Sequence, residues 1–206
     1  MNKIKYLAAV LIGIAGLGLQ QAKADAFTSS LNVGNPDLTP FGSGPYGSVL
    51  VTLDATGTIA TIAFTAAAGY EFVDGSAAAV NLSSGTYIQG SLVDAVAGAT
   101  VDTTSGQQVD GFGKFNLTVN NGNSSLGVTF ISFQVSGSWA SAADVLALNP
   151  LYDAAAHIRP LLNNPTGLTG YAGETGGNIV PDGGATVMLL GMGLSVLGMV
   201  RRYLTS

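Results

Sequence analysis

The chain contains no cysteine, a single histidine and few charged residues, and each of these scarcities excludes a class of site. Without cysteine there can be no disulfide, no thiolate zinc site and no cysteine nucleophile. Lysine, arginine, aspartate and glutamate together make up 9% of the chain, whereas soluble domains usually carry roughly 25%. The polar surface must therefore consist of serine, threonine, asparagine, glutamine and glycine.

The few charged residues are distributed unevenly along the chain. Of the seven basic residues, only Lys114 and Arg159 lie within residues 25–179, whereas eleven of the twelve acidic residues lie there. A body with this acidic excess offers no basic stripe to nucleic acid or to anionic lipid, so we expect no nucleic-acid partner. Export without disulfides is more typical of bacteria than of small secreted eukaryotic domains.

The N-terminal segment, residues 1–24, has the pattern of a cleaved signal peptide. Basic residues near its start precede an apolar run over residues 7–19, and Ala22 and Ala24 stand at the two positions that signal peptidase reads. The run is shorter than the ~20 residues needed to span a bilayer. We predict a signal helix that signal peptidase removes, so that the mature chain begins at Asp25.

The C-terminal segment, residues 180–206, contains a short proline motif, an apolar run over residues 185–200 and a terminal basic pair, in that order. The motif and the pair are Val180, Pro181, Asp182, Gly183, Gly184, Arg201 and Arg202. Arginines that follow an apolar helix stay in the cytoplasm, which places the body outside the inner membrane. The predicted transmembrane helix is short for a permanent anchor.

This order of features resembles the C-terminal sorting signals of PEP-CTERM proteins, and most closely the VPDSG-CTERM variant, with Gly183 standing where serine is usual. The resemblance implies that an exosortase, a membrane-embedded transpeptidase-like enzyme, recognises and removes the tail. The inner membrane then anchors the chain only transiently, and the body reaches the cell surface or the extracellular matrix. Hydropathy alone leaves a plain single-pass anchor open, while the terminal arginines disfavour a GPI signal.

The body, residues 25–165, shows short β-branched or aromatic runs separated by turn residues, which is typical of an all-β domain. Alternation in residues 48–53 and 58–66 predicts one hairpin, and residues 115–119 and 127–136 predict a second, central hairpin. We expect an antiparallel β-sandwich of jelly-roll-like or immunoglobulin-like character.

Two further segments complete the predicted domain organisation. Ser141 and Asp144 have the Ser-x-x-Asp spacing of a helix N-terminus, which predicts one short helix before Asn149-Pro150. Residues 166–179 are rich in glycine and threonine and predict a flexible spacer. Such a spacer would let a membrane enzyme reach the sorting motif without interference from the folded body.

Candidate catalytic groups are few. His157 is the only histidine, and since no Gly-x-Ser-x-Gly elbow accompanies it, its pattern is more typical of a structural hydrogen-bonding residue. A glycosidase-like carboxylate pair would have to combine Glu71 with an aspartate, because Glu174 lies in the predicted spacer. We therefore expect no enzyme and no cofactor.

Loop aspartates and aromatic residues support two weaker binding hypotheses. Asp74 and Asp102 offer oxygen atoms of the kind that calcium prefers, although turn aspartates more often cap their own backbone. A carbohydrate-binding module would present flat aromatic faces to sugar rings. The alternative is that the same aromatic residues are buried in the core. The aromatic candidates are Tyr46, Tyr70, Tyr87 and Trp139.

The sequence as a whole favours an exported structural or adhesive protein of the bacterial cell surface or extracellular matrix, in contact with exopolysaccharide. The alternatives that stay open are a carbohydrate-binding surface module, a plain single-pass membrane-anchored protein and, least favoured, a glycosidase-like enzyme. No metal site is predicted, because no EF-hand or related ligand spacing occurs.

Overall fold

The computed structural model describes residues 25–93, 95–104, 106–122, 126–174 and 178–180. These residues form fifteen β-strands and two short 3-10 helices, and no α-helix. The predicted signal helix and transmembrane helix lie outside the described residues. In chain order the strands are β1 (Asp25–Leu31), β2 (Val33–Gly34), β3 (Gly47–Leu53), β4 (Ile59–Ala66), β5 (Tyr70–Phe72), β6 (Ala78–Val80), β7 (Thr86–Tyr87), β8 (Thr100–Asp102), β9 (Gln107–Val109), β10 (Gly113–Phe115), β11 (Leu117–Asn120), β12 (Phe130–Ser136), β13 (Ala154–Pro160), β14 (Gly170–Gly173) and β15 (Asn178–Val180).

The first sheet, which we call sheet A, has the strand order β15-β1-β3-β4-β12-β7, and its neighbouring strands are antiparallel. Its long strands alternate strictly, so that Val49 lies opposite Phe64 and Val51 opposite Ile62 on the buried face. The hairpin predicted from residues 48–53 and 58–66 is therefore confirmed. The opposite face of sheet A presents threonine and serine side chains together with the exposed Leu50 and Ile59.

The second sheet, sheet B, has the strand order β2-β14-β13-β6-β11-β8, with β5 paired to β13. Its middle strands are buried on both faces, because the β9–β10 hairpin covers the face that points away from sheet A. Phe112 and Phe115 pack there against Ala79 and Ala155. The alanine-rich strands β6 and β13 are therefore small-residue strands enclosed on two sides, which leaves little room for larger side chains.

One hydrophobic core joins the two sheets. Fully buried residues of sheet A and of sheet B belong to the same contact cluster, in which Phe64 of sheet A meets Phe72 of sheet B edge to face, with ring centroids 6.1 Å apart. The described body is thus mostly antiparallel β-sheet around a shared core, and the all-β prediction is confirmed.

The predicted central hairpin between residues 115–119 and residues 127–136 is wrong. β11 pairs with β6 and β8 in sheet B, whereas β12 pairs with β4 and β7 in sheet A. The connection between them carries the chain from one sheet to the other, and Asn121 is fully buried in it, accepting a hydrogen bond from the amide of Val96 at 2.8 Å. The two runs show the same alternation of apolar and polar residues, but they belong to different sheets, which face each other across the core.

The predicted short helix is also wrong, because the chain forms only a 3-10 turn over Ala142–Asp144. The Ser141 hydroxyl donates to the Asp144 carboxylate at 2.8 Å and caps no backbone amide. The amide of Ala142 instead donates a hydrogen bond to the carboxylate of Asp25 in β1, at 2.8 Å. Further along, Leu146 forms a β-bridge with Leu82, which ends any helical continuation.

The predicted flexible spacer over residues 166–179 must be corrected where the structure describes it. β14 pairs with β13 on one side and with β2 on the other, and β15 pairs with β1. Gly173 lies directly beneath the ring of Phe112, where a Cβ would collide with the ring. At Gly173 the glycine therefore reflects close packing within a sheet, and β15 adds a further strand to the body up to Val180.

Candidate functional site

A groove lies where the free edges of the two sheets come together, at β7 of sheet A and β8 of sheet B. It consists of two adjoining cavities of about 460 and 490 Å³, and Tyr87, Gln89 and Val101 line both of them. Residues on both strands therefore contribute to a single elongated depression. A depression of this size at a sheet edge is a candidate binding surface.

The groove is lined by uncharged side chains. Thr86, Gln89, Thr103 and Asn116 supply hydroxyl and amide groups, and the lining residues described include no carboxylate and no basic group. Tyr87 is half-buried, and its ring packs edge to face on the buried Phe133, with centroids 6.4 Å apart. One aromatic face set among hydroxyls and amides suits a neutral, hydroxyl-rich ligand.

The other aromatic candidates for sugar binding do not form an exposed platform. Trp139 is 7% exposed and belongs to the core, and Tyr46 is 3% exposed. The Tyr46 hydroxyl donates to the carbonyl of Gly42 at 2.7 Å, and its ring packs edge to face on Tyr70 at 5.3 Å. Burial raises the pKa of Tyr46. Of the four predicted candidates, only Tyr87 lines the groove.

His157 lies in β13, where both ring nitrogens have partners. Its ring stacks on Tyr171 with centroids 4.3 Å apart and planes inclined by 13°. Nδ1 contacts the carbonyl oxygen of Asp74, which can only accept, so Nδ1 carries the proton and Nε2 accepts from the Thr169 hydroxyl at 2.8 Å. Burial lowers the pKa of His157, and Asp74 opposes that shift. This geometry is that of a neutral, structural histidine.

The loop aspartates bind backbone amides. The Asp102 carboxylate accepts from the amide of Thr104 at 2.8 Å, and the Asp74 carboxylate accepts from the amide of Gly122 at 3.1 Å. Hydrogen bonds from the Thr56 hydroxyl and from the amide of Ile59 lower the pKa of Asp54 to about 2. Among the described residues, no three acidic or histidine side chains gather as metal ligands would.

Glu71, the predicted partner in a glycosidase-like pair, forms a salt bridge with Arg159. Its carboxylate accepts a hydrogen bond from Nε of Arg159, across the pairing of β5 with β13. Gly127 packs so closely on this carboxylate that a Cβ there would overlap it. Glu71 is therefore fixed in an ion pair rather than aimed at an open cleft, and it does not line the groove.

A pair of buried carboxyl groups is the feature that sequence reasoning misses. Asp153 is 6% exposed and Glu174 is 1% exposed, and the two side chains form a hydrogen bond with each other. Burial raises the pKa of Asp153, and the hydrogen bond from Glu174 opposes part of that shift. The sequence does not indicate this pair, because the spacer predicted over residues 166–179 would place Glu174 in solvent. Neither group lines the groove.

The predicted sorting segment begins in the described part of the chain. Val180 is the last residue of β15 and lies opposite Ala26 of β1. The rest of the predicted site residues, which comprise the remaining motif residues, the basic pair and the signal-peptidase positions, lie outside the described residues: Pro181, Asp182, Gly183, Gly184, Arg201, Arg202, Ala22 and Ala24. Among the described residues no helix is long and apolar enough to cross a bilayer.

Comparison with known protein families matches residues 180–204 to the VPDSG-CTERM motif. No curated protein and no solved structure is significantly similar to the chain. The matched segment starts at Val180 and contains both Arg201 and Arg202, so the resemblance drawn from the sequence is confirmed. The motif indicates an exported protein of the cell surface that an exosortase-type membrane enzyme processes. Residues 180–204 therefore carry a sorting motif of the VPDSG-CTERM type, consistent with a PEP-CTERM-like sorting-domain protein.

Proposed function

We propose that this protein is a structural or adhesive component of the cell surface or extracellular matrix of a Gram-negative bacterium. The observation that carries the proposal is the VPDSG-CTERM match over residues 180–204, which joins a sorting signal to an acidic all-β body. In this proposal signal peptidase cuts after Ala24, and the inner membrane holds the chain by residues 185–200 until the exosortase acts. The released body is a β-sandwich that contacts exopolysaccharide.

A role without catalysis agrees with the way the body uses its chemically active residues. His157 has both ring nitrogens engaged, Glu71 is paired with Arg159, and the close carboxyl pair of Asp153 and Glu174 is buried. A glycosidase would need two carboxyl groups on either side of an open cleft. We therefore propose that the body acts through its surface, as a structural or adhesive domain.

Removing the terminal arginines is expected to abolish processing at the sorting signal. The chain with Arg201→Gln and Arg202→Gln is compared with the parent in the native host by intact-mass measurement of the exported protein. We expect the parent to lose its tail and the variant to keep every residue through Ser206, since the basic pair completes the signal. Lys114→Gln, an exposed base in the body, is the matched control and should be processed like the parent.

The intact mass of the parent chain distinguishes the sorting proposal from a plain single-pass anchor. If the exported parent retains every residue through Ser206, the chain is a plain single-pass membrane protein and the sorting proposal fails. A loss of mass confined to the N-terminal segment also contradicts sorting, because signal peptidase alone has then acted.

A second candidate function, binding of a neutral polysaccharide, is favoured by the groove around Tyr87. Sugar rings stack on aromatic faces and exchange hydrogen bonds with amides and hydroxyls, and the described groove lining offers these groups without a charge. The aromatic residue that a sugar would meet is Tyr87, because Trp139 and Tyr46 are buried in the core.

Tyr87→Ala is expected to weaken binding of the host's purified neutral exopolysaccharide about tenfold, which corresponds to about 1.4 kcal/mol. Tyr87→Phe keeps the ring face and should bind like the parent, which separates stacking from loss of the hydroxyl. Binding is measured by isothermal titration calorimetry on the mature protein. Equal affinities of the parent and Tyr87→Ala would remove the groove as a glycan site and leave the sorting proposal untouched.

A further inference from the structure

The start of the sorting motif is held inside a β-sheet. β15 is the edge strand of sheet A, and it pairs antiparallel with β1 through three matched positions: Ala26 with Val180, Phe27 with Ile179 and Thr28 with Asn178. The family match begins at Val180, so its first residue belongs to both the ladder and the signal. The folded body and the processing signal therefore overlap by one residue, with no free chain between them.

The strand that holds β15 is firmly fixed. On its other side β1 pairs with β3 through seven matched positions, from Asp25 opposite Leu53 to Leu31 opposite Gly47. The carboxylate of Asp25 also accepts a hydrogen bond from the amide of Ala142 at 2.8 Å. When the two strands separate, β15 must be the one that moves, because three paired positions hold it and β1 is held by seven more.

A strand that pairs in a sheet cannot also lie in another protein's cleft. Proteins that bind an extended peptide segment do so through the hydrogen-bonding groups of its main chain, and a strand that already pairs in a sheet has those groups engaged along one edge. One edge of β15 is already committed to β1. The backbone next to the motif thus becomes fully available only when β15 has left the sheet.

We propose that β15 is a latch: its pairing with β1 withholds the start of the sorting motif, and the exosortase acts on the form in which β15 has opened. This inference rests on the proposed sorting function and concerns its regulation. Short edge strands open locally at low free-energy cost compared with core strands. The fraction of open molecules then scales the apparent affinity of the enzyme for its substrate.

The latch can be locked chemically, because the chain has no cysteine of its own. Thr28→Cys with Asn178→Cys places two cysteines at directly opposed positions, whose Cα separation of about 4.5–5.5 Å suits a disulfide. Neither residue belongs to the matched motif. We expect the oxidised full-length chain to be processed at least about tenfold more slowly than the same chain after reduction, because the open fraction is suppressed.

The matched control is a second staple in the same sheet. Thr52→Cys with Thr61→Cys joins β3 to β4 at an opposed pair outside the ladder of β15 with β1, so it restrains the body without cross-linking the latch. Processing is followed by intact mass in membranes that contain the exosortase, with and without reductant, and alkylation reports which chains are cross-linked. The control staple should be processed at the same rate in both states.

An opening variant tests the latch without any disulfide. Thr28→Glu with Asn178→Glu sets like charges opposite each other across the ladder, which disfavours pairing. This variant should be processed faster than the parent. If the oxidised latch staple and the charged pair are both processed at the parental rate, the latch inference is wrong and the sorting function stands. If the parent is never processed, the sorting function itself has failed.

Discussion

Replacing Phe64 by alanine is expected to destabilise the body by about 3–5 kcal/mol, which is the usual cost of removing a buried phenylalanine ring. Phe64 is fully buried in β4 and meets Phe72 across the gap between the two sheets. The truncation leaves a cavity at the point where the sheets contact each other, and strands held in long ladders can collapse into it only partly. Since domains are stable by about 5–15 kcal/mol, this is a large share of the total.

Urea denaturation of the mature protein, followed by tryptophan fluorescence, measures this effect. The single tryptophan, Trp139, is in the same core and reports on its loss. We expect the midpoint to fall by about 2 M, given a typical slope for a domain of this size. Thr65→Ala, the exposed neighbour of Phe64 in β4, is the matched control and should change stability by less than about 0.5 kcal/mol. Similar midpoints for the two variants would show that the sheets are not packed through Phe64.

The hairpin of β3 and β4 could be predicted because its information is local. Each strand alternates apolar and polar residues with a period of two, and a short turn at Asp54 joins them. The alternation sets both the strand type and the buried face, and a short turn leaves few registers. The same reasoning fails for residues 115–119 and 127–136, because alternation reports that a strand has a buried face but does not identify its partner strand.

The predicted spacer fails for a different physical reason. Glycine-rich sequence is typical of flexible linkers, but it is also required where a strand is packed tightly on both faces. Gly173 lies under Phe112, and no local pattern around residue 173 announces that a ring from residue 112 will cover it. Composition alone does not distinguish the two cases. The resulting error also conceals Glu174, which a spacer would expose to solvent and which is fully buried.

The two candidate sites also differ in whether local sequence is enough to predict them. The sorting signal could be identified because a motif, an apolar run and a basic pair follow one another within residues 180–204, so their order alone carries the information. The groove could not be predicted, because β7 and β8 are adjacent only through the topology of two separate sheets. Tyr87 is one of four aromatic candidates, and only its place at a free edge distinguishes it from Trp139.

The stability of the body is expected to contain a component that falls as the pH rises, and its source is the pair of Asp153 and Glu174. Two carboxyl groups can share a hydrogen bond only while a proton remains on one of them. Burial is the largest cause of the pKa shift of Asp153, because it disfavours the charged form of this carboxyl group in the folded state. The folded pKa of Asp153 is therefore raised above its ordinary value of 3.8.

The sign of the pH dependence follows from proton binding. Between the ordinary pKa of 3.8 and the raised folded pKa of Asp153, the folded state holds more protons than the unfolded state, so the stability decreases with increasing pH. The contribution of the pair is fully present below 3.8 and is lost as the pH passes through the folded pKa. His157, whose pKa is lowered, acts in the opposite direction: its contribution is present above 6.5 and is lost on acidification. The two contributions must be separated by a difference measurement.

Asp153→Asn with Glu174→Gln supplies that difference, because it keeps the shape of both side chains and their ability to hydrogen-bond while removing both ionisable groups. His157 contributes equally to the parent and to the variant and cancels. We expect the variant to gain stability relative to the parent, on the order of 1–3 kcal/mol, as the pH rises from below 3.8 through the folded pKa of Asp153, because burial penalises the charged form of that carboxyl group. Urea midpoints at several pH values provide the measurement. Asp102→Asn is the control, because the pKa of this partly exposed carboxylate is lowered by its hydrogen bonds with Thr104. Its stability profile should run parallel to that of the parent above pH 5. Parallel profiles for the amide pair and the parent would contradict this prediction, because they would mean that Asp153 titrates equally in the folded and unfolded states.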